Sequence, residues 1–153
     1  MKRRYRFECK APSRFMGRII MKWGGGLISD KTTLCTPHMA QIQRLADCVQ
    51  RLVEMGHNLI IVHGAGSFGH ILARKHRLDE GEIHGLEQGA AINQVRSDMD
   101  TLHNLVIKSL EPLSVTSHPP RAFVINTGPD FQGDLGQFLE PGVHITFGDV
   151  VDC

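Results

Sequence analysis

Cysteine is sparse in this chain and never paired: Cys9, Cys35, Cys48 and Cys153 stand far apart with no C-x-x-C among them. That spacing suggests neither a zinc ribbon nor a disulfide framework and makes a reducing cytoplasm the simplest setting. Long apolar runs are missing too. None approaches the roughly 20 residues that span a bilayer, and the basic N-terminus lacks the apolar core of a secretory signal, so no membrane partner is expected. Charge of one sign is not in excess, since 17 Lys and Arg face 16 Asp and Glu for a formal net charge of +1. No overall field therefore draws the chain to nucleic acid. Nine histidines are present, but none shows H-E-x-x-H or another metal-ligand spacing, and no metal-holding residues are expected. What remains is 153 residues with 41% hydrophobic and 22% charged side chains, the size and make-up of one folded domain. Disorder, collagen and coiled coil are excluded.

The balanced charge hides an asymmetry. Residues 1–18 carry seven basic side chains against the single acid Glu8, which leaves ten basic and fifteen acidic residues in the rest. We expect 1–18 to be a basic, disordered arm, with an organellar presequence or a start at Met16 or Met21 as the other readings. Residues 19–153 are expected to form the folded part.

Arg18-Ile19-Ile20-Met21-Lys22-Trp23 reads as a strand stopped by Gly24-Gly25-Gly26. A helix is predicted next, with Thr36 as N-cap, Pro37 at its first position, apolar residues from Met39 to Val53 at helical spacing, and Gly56 as its stop. Asn58 to Val62 then form a buried strand ending at His63-Gly64-Ala65-Gly66, and a short helix follows through Ile71, Leu72 and Ala73. Strand, helix and strand make a βαβ unit with a right-handed crossover. After a polar stretch at 74–85 a long helix presents Val95, Met99, Leu102, Val106 and Leu110 until Pro112. A Pro/Ser/Thr loop follows. Arg121 to Ile125 is expected as a third strand ending at Asn126-Thr127-Gly128, and Val143 to Phe147 as a fourth ending at Gly148-Asp149. The fold class is α/β with a mostly parallel sheet.

Every predicted strand ends in glycine or a polar-plus-glycine turn, and in open α/β sheets ligands bind at the C-terminal ends of the strands. Parallel neighbours would bring Lys22, Gly24 to Gly26, the 63–70 segment, Gly128 and Asp149 to one edge. The segment His63-Gly64-Ala65-Gly66-Ser67-Phe68-Gly69-His70 satisfies G-x-G-x-x-G between a strand and a helix. Its physical expectation is a phosphate cradle, because glycines let backbone N–H groups approach an anion. A packing turn without a ligand is the alternative. A dinucleotide-binding oxidoreductase module would need a second strand ending in an acid about 20 residues on, and Asp79, Glu80 and Glu82 instead lie in a polar stretch. A Walker A loop is excluded by His70 and Ile71, which stand where Lys and Ser or Thr belong. Lys22 lies in an apolar strand before three glycines, where a desolvated ammonium asks for an anion; a snorkelling edge lysine is the other reading. Lys31 follows in the next loop. His70 is predicted at a helix start, where a neutral imidazole or an anion-paired one is favoured.

Three segments together carry a resemblance. Ile19-Ile20-Met21-Lys22-Trp23-Gly24-Gly25-Gly26-Leu27-Ile28-Ser29-Asp30-Lys31, then Ile61-Val62 with the 63–70 block, then Phe147-Gly148-Asp149-Val150-Val151-Asp152, occur in the order of the amino acid kinase superfamily. Within it they resemble the isopentenyl phosphate kinases, and the 63–70 block is the most specific of the three. The resemblance implies a three-layer αβα sandwich and transfer of the ATP γ-phosphoryl group to isopentenyl phosphate in isoprenoid biosynthesis, with MgATP as cofactor. Lys22 and the turn Gly24, Gly25, Gly26 resemble the ATP phosphate contacts, and Lys31 the lysine that steadies the transferring phosphoryl. Ala65 and Gly66 resemble backbone contacts to substrate and nucleotide. His70 resembles the histidine on the acceptor phosphate, and Gly148 with Asp149 a further substrate-side turn. Gly26 stands where the family usually has Ser, and Trp23 where it has a small aliphatic residue.

The resemblance spans 19–152 but matches only the N-terminal, phosphate-acceptor half of the family pattern. The nucleotide half has no counterpart here. The expected partners are accordingly a small phosphate substrate and either a second copy of the chain or a complementing C-terminal half. A non-catalytic or split-enzyme phosphate-binding half, and a kinase of another small phosphate or phosphonate, remain as alternatives. The chemistry suits the residues: a phosphate monoester with a second pKa of about 6 is already dianionic near neutrality and needs no strong base. The obstacle is repulsion between two anions, which lysines, a histidine and backbone N–H groups offset.

Overall fold

The computed structural model describes residues 17–84, 86–125 and 132–148. Most of the expected basic arm, and the site candidates Gly128 and Asp149, lie outside the described residues. The first strand, β1 (Arg18–Trp23), pairs in parallel with β2 (Asn58–His63), with Ile19 opposite Leu59 and Trp23 opposite His63. One turn of helix, α1 (Gly25–Ile28), begins immediately after β1, so the glycine run opens a helical turn rather than a loop. The crossover helix α2 (Met39–Glu54) buries Ile42, Ala46 and Val49 at the expected spacing. It starts later than the Thr36-Pro37 signature predicts. The Asp30 N–H donates to the Thr36 carbonyl and the His38 N–H to that of Ile28, which draws Pro37 into a bridge with Ser29. Gly56, at φ +90°, ends the helix as expected.

Two helices follow β2: the short α3 (His70–Lys75) and the long α4 (Gly89–Ser109), which buries Val95, Met99, Leu102 and Val106 along one stripe. The expected third strand is not in the main sheet. Pro119 and Pro120 lead into a 3-10 turn over Pro120–Ala122, and among the described residues the strand β4 (Val124–Ile125) pairs with β5 (Gln132–Gly133) alone, antiparallel. The position beside β6 (Val143–Phe147) belongs instead to β3 (Val115–Ser117), inside the stretch read as a loop. Three residues give too short a pattern to stand out from its Ser/Thr/Pro surroundings. The sheet order is β1-β2-β6-β3, all parallel.

The crossovers from β1 to β2 and from β2 to β3 run in one direction across the sheet. Right-handed connections therefore put α2 and α4 on the same face, where they touch. Ile19, Met21, Trp23, Leu59, Ile61, Val143, Ile145 and Phe147 meet them there and form the core. On the other face His144 is covered by His118 and Phe138, whereas Arg18, Ile20 and Lys22 on the edge strand are exposed. Lys22 is thus not desolvated; the snorkelling edge lysine is its observed state. No helix among the described residues is long and apolar enough to cross a membrane. Truncating Leu102, which is fully buried, to Ala should destabilise the protein by about 2–5 kcal/mol in urea unfolding. Ile20→Ala, at a residue 70% exposed, should change stability by no more than about 0.5 kcal/mol.

Candidate active site

The turns after β1 and β2 are pressed together at the C-terminal end of the sheet. The Gly64 N–H donates to the Trp23 carbonyl at 2.9 Å. A Cβ on Gly25 would stand 2.2 Å from the Gly66 backbone nitrogen, so this contact exists only between residues without side chains. Gly66 adopts φ +52°, and a Cβ there would fall 1.9 Å from Ser29 Oγ. That hydroxyl fastens the two turns: it donates to the Gly25 carbonyl at 2.8 Å and accepts the Ser67 N–H at 2.9 Å. Gly26 leaves room for the Lys31 side chain, whose Cε would be 1.9 Å from a Cβ at that position. The missing side chain at Gly26 thus lets a lysine lie across the turn.

Beside this contact opens a cleft of about 530 Å³ lined by Gly25, Gly26, Lys31, Gly66, His70, Ile71 and Arg74. Five residues singled out from sequence are brought together: Gly25, Gly26, Lys31, Gly66 and His70. Lys22, Gly24, Ala65 and Gly148 do not line it. Gly24 flanks α1, Ala65 precedes the 3-10 turn at Gly66–Phe68, and Gly148 donates its N–H to the His63 carbonyl at the same end of the sheet. Ile71 and Arg74 were not expected. A helix through 70–75 would have revealed Arg74, because positions i and i+4 share a face. The lining carries three basic side chains and no acidic one, which suits an anion and not a cation. Burial and Asp98 push the Cys35 thiol up to about 11, which disfavours its thiolate.

Sequence reading also missed two buried histidine pairs. His63 Nε2 lies 3.0 Å from His103 Nδ1, and His103 Nε2 lies 2.7 Å from Ser117 Oγ. His63 Nδ1 faces the Gly64 carbonyl, which can only accept. A neutral chain then runs from the Ser117 hydroxyl through His103 Nδ1–H to His63, with both rings protonated on Nδ1. Burial pushes both imidazoles down to about 4. His118 and His144 form the second pair, 2.8 Å apart, and burial lowers His118 as well. The signal was in the pattern: His63 continues the inward positions Leu59 and Ile61, and His103 falls between Met99 and Val106 on the stripe of α4.

The amino acid kinase family matches residues 17–133. The chain belongs to this family. Among relatives, isopentenyl phosphate kinase of Methanothermobacter thermautotrophicus is 32% identical over 87% of this chain and 53% of its own length. That of Methanocaldococcus jannaschii is 26% identical over 69% of this chain and 44% of its own. A crystal structure of the Thermoplasma acidophilum isopentenyl phosphate kinase product complex superposes with a TM-score of 0.69 at 26% identity, covering 88% of this chain and 56% of the other. Aspartate kinase from Synechocystis shares the fold, with a TM-score of 0.60 at 19% identity over 85% of this chain and 22% of its own. The chain thus spans about half the length of the isopentenyl phosphate kinases it matches, and its mixed α/β fold with a parallel sheet is that of the amino acid kinases.

The buried histidines give this family member a dependence on pH. Both titrate near 4 when folded and near the ordinary 6.5 when unfolded, so acid favours the unfolded chain. Their contribution to stability is complete above about pH 6.5 and declines as the pH falls toward 4. Urea midpoints between pH 7 and 4.5 should fall steadily for the wild type and less steeply for His103→Leu; parallel curves would contradict this assignment.

Proposed function

We propose that this amino acid kinase family member serves the ATP-dependent phosphorylation of isopentenyl phosphate to isopentenyl diphosphate, a phosphotransferase reaction of isoprenoid biosynthesis. The observation that carries the reading is the cleft beside the two fused glycine turns, where Lys31 lies over Gly26 and His70 shares the lining, with no acid on it. The relatives named isopentenyl phosphate kinase support it. Free Cys35 and Cys48 suit a reducing cytoplasm.

The residues fit a polyphosphate, because Gly25, Gly26 and Gly66 line the cleft with backbone alone and Lys31, His70 and Arg74 stand beside them with no acid. Bound ATP would supply the γ-phosphoryl group, which passes to an acceptor phosphate oxygen as the bond to the ADP oxygen breaks. Lys31, lying across Gly26, offsets charge on the transferring group. His70 donates to the acceptor phosphate, and Gly25, Gly26 and Gly66 offer backbone to the anions. Ala65 and Gly148 are proposed contacts at the substrate side, and Lys22 and Gly24 at the nucleotide phosphates, on their match to the family segments. Among the described residues no three His, Cys, Asp or Glu side chains gather as metal ligands; magnesium would arrive on the nucleotide's phosphates, its usual mode of binding.

A second reading is favoured by the sheet itself. The Gly17 and Trp23 carbonyls of the β1 segment point to β2, so by alternation the N–H and C=O groups of Arg18, Ile20 and Lys22 point away from the sheet. An edge strand carrying Ile19, Ile20 and Met21 on its two faces suits an interior place in a larger sheet. With half the relatives' length present, this chain would work as the acceptor half of an enzyme completed by a nucleotide-binding half.

ADP release in the presence of isopentenyl phosphate, with fosfomycin and other small phosphates as competing acceptors, tests both readings. The first expects isopentenyl phosphate to be preferred; the second expects turnover only after a complementing C-terminal half is added. No turnover in either condition removes the kinase proposal. In the active assembly His70→Ala should lower turnover and acceptor affinity together by about ten- to hundredfold, while Lys22→Ala should act on the nucleotide.

A further inference from the structure

The cleft holds one basic residue that the family resemblance does not call on. Arg74 lies one helical turn beyond His70 on α3 and lines the same cavity, with Ile71 between them and Lys31 approaching from the turn after β1. Its side chain is exposed, and among the described residues it has no ion pair, unlike Arg77, which pairs with Glu80, or Arg121, which pairs with Asp100. Arg74 stands with Lys75 in the last turn of α3, a helix that buries none of its residues. Lys31 and Arg74 bring two fixed positive charges to the one cleft, which favours an anion between them. A guanidinium also presents a planar fork that binds two oxygens of one phosphate, which neither Lys31 nor His70 can do.

We propose that Arg74 is a further binding residue of this cleft, gripping the acceptor phosphate from the side opposite Lys31. The inference rests on the acceptor-site reading above and adds to it: the acceptor is a molecule whose compact, dianionic phosphate spans His70 and Arg74, with its uncharged part directed along Ile71. Arg74 thereby selects a terminal phosphate monoester over a carboxylate or a phosphodiester, which offer less charge to the fork.

Calorimetric titration of the whole chain with isopentenyl phosphate and, separately, with inorganic pyrophosphate tests this. Arg74→Ala should weaken binding of both by about ten- to hundredfold. Arg74→Lys should recover only part of the loss, because it restores charge without the fork. Lys75→Ala, on the same turn, should bind like the wild type, and an unchanged melting temperature in Arg74→Ala separates lost contact from lost fold. Wild-type binding of either ligand with Arg74→Ala within twofold overturns the role of Arg74 and leaves the cleft intact. Pyrophosphate binding that depends on Arg74, without binding of isopentenyl phosphate, supports the phosphate grip and overturns the acceptor named above. A wild-type chain that binds neither overturns both.

Discussion

The contact on which the rest of the site depends is backbone against backbone. Gly25 and Gly66 approach so closely that a methyl group on either would collide with the other turn, and the Ser29 hydroxyl spans the two with one bond given and one received. The parallel pairing of β1 with β2 delivers the turns side by side, and the helices α1 and α3 then leave the sheet from adjacent points. Lys31, His70 and Arg74 are carried to a common cleft by this arrangement and not by contacts with each other. A larger residue at Gly25 or Gly66 would separate the turns and scatter the three side chains without touching any of them.

The core explains how such a junction is held. Ile19, Met21 and Trp23 on β1, with Leu59 and Ile61 on β2, bury toward the layer formed by α2 and α4, so the strand ends are fixed from one side. Trp23, the residue directly before the glycine run, is almost fully buried, which anchors the turn at its root. Below the second turn, His63 is stacked against Phe147 and bonded to His103, so its imidazole belongs to the packing rather than to the chemistry. Across the sheet the opposite face of β1 stays open, with Arg18, Ile20 and Lys22 exposed.

Much of this was legible in the residues because the signals were local. β1 and β6 have the bounds their apolar runs predict, and the stripe of α4 from Val95 to Val106 is buried as its spacing requires. What failed depended on partners distant in sequence. Pro37 looks like a helix start until its neighbours bond to the 28–30 segment, and Val115 to Ser117 look like loop until β6 lies beside them. Arg121 to Ile125 has a strand's composition, but two prolines and a short antiparallel partner divert it. At the site, the glycines, Lys31 and His70 were readable because a turn and an anion impose residue type. Arg74 reads in sequence as the start of a polar stretch, although α3 continues through it and sets it on the face of His70.

The central claim is that the two glycine turns form one phosphate-binding unit. Nuclear magnetic resonance of the amides of Gly25, Gly26 and Gly66 during titration of the whole chain with inorganic pyrophosphate tests it most directly. The account predicts saturable shifts that follow one binding curve at all three. Shifts confined to one turn, or saturable shifts only elsewhere in the protein, would contradict it.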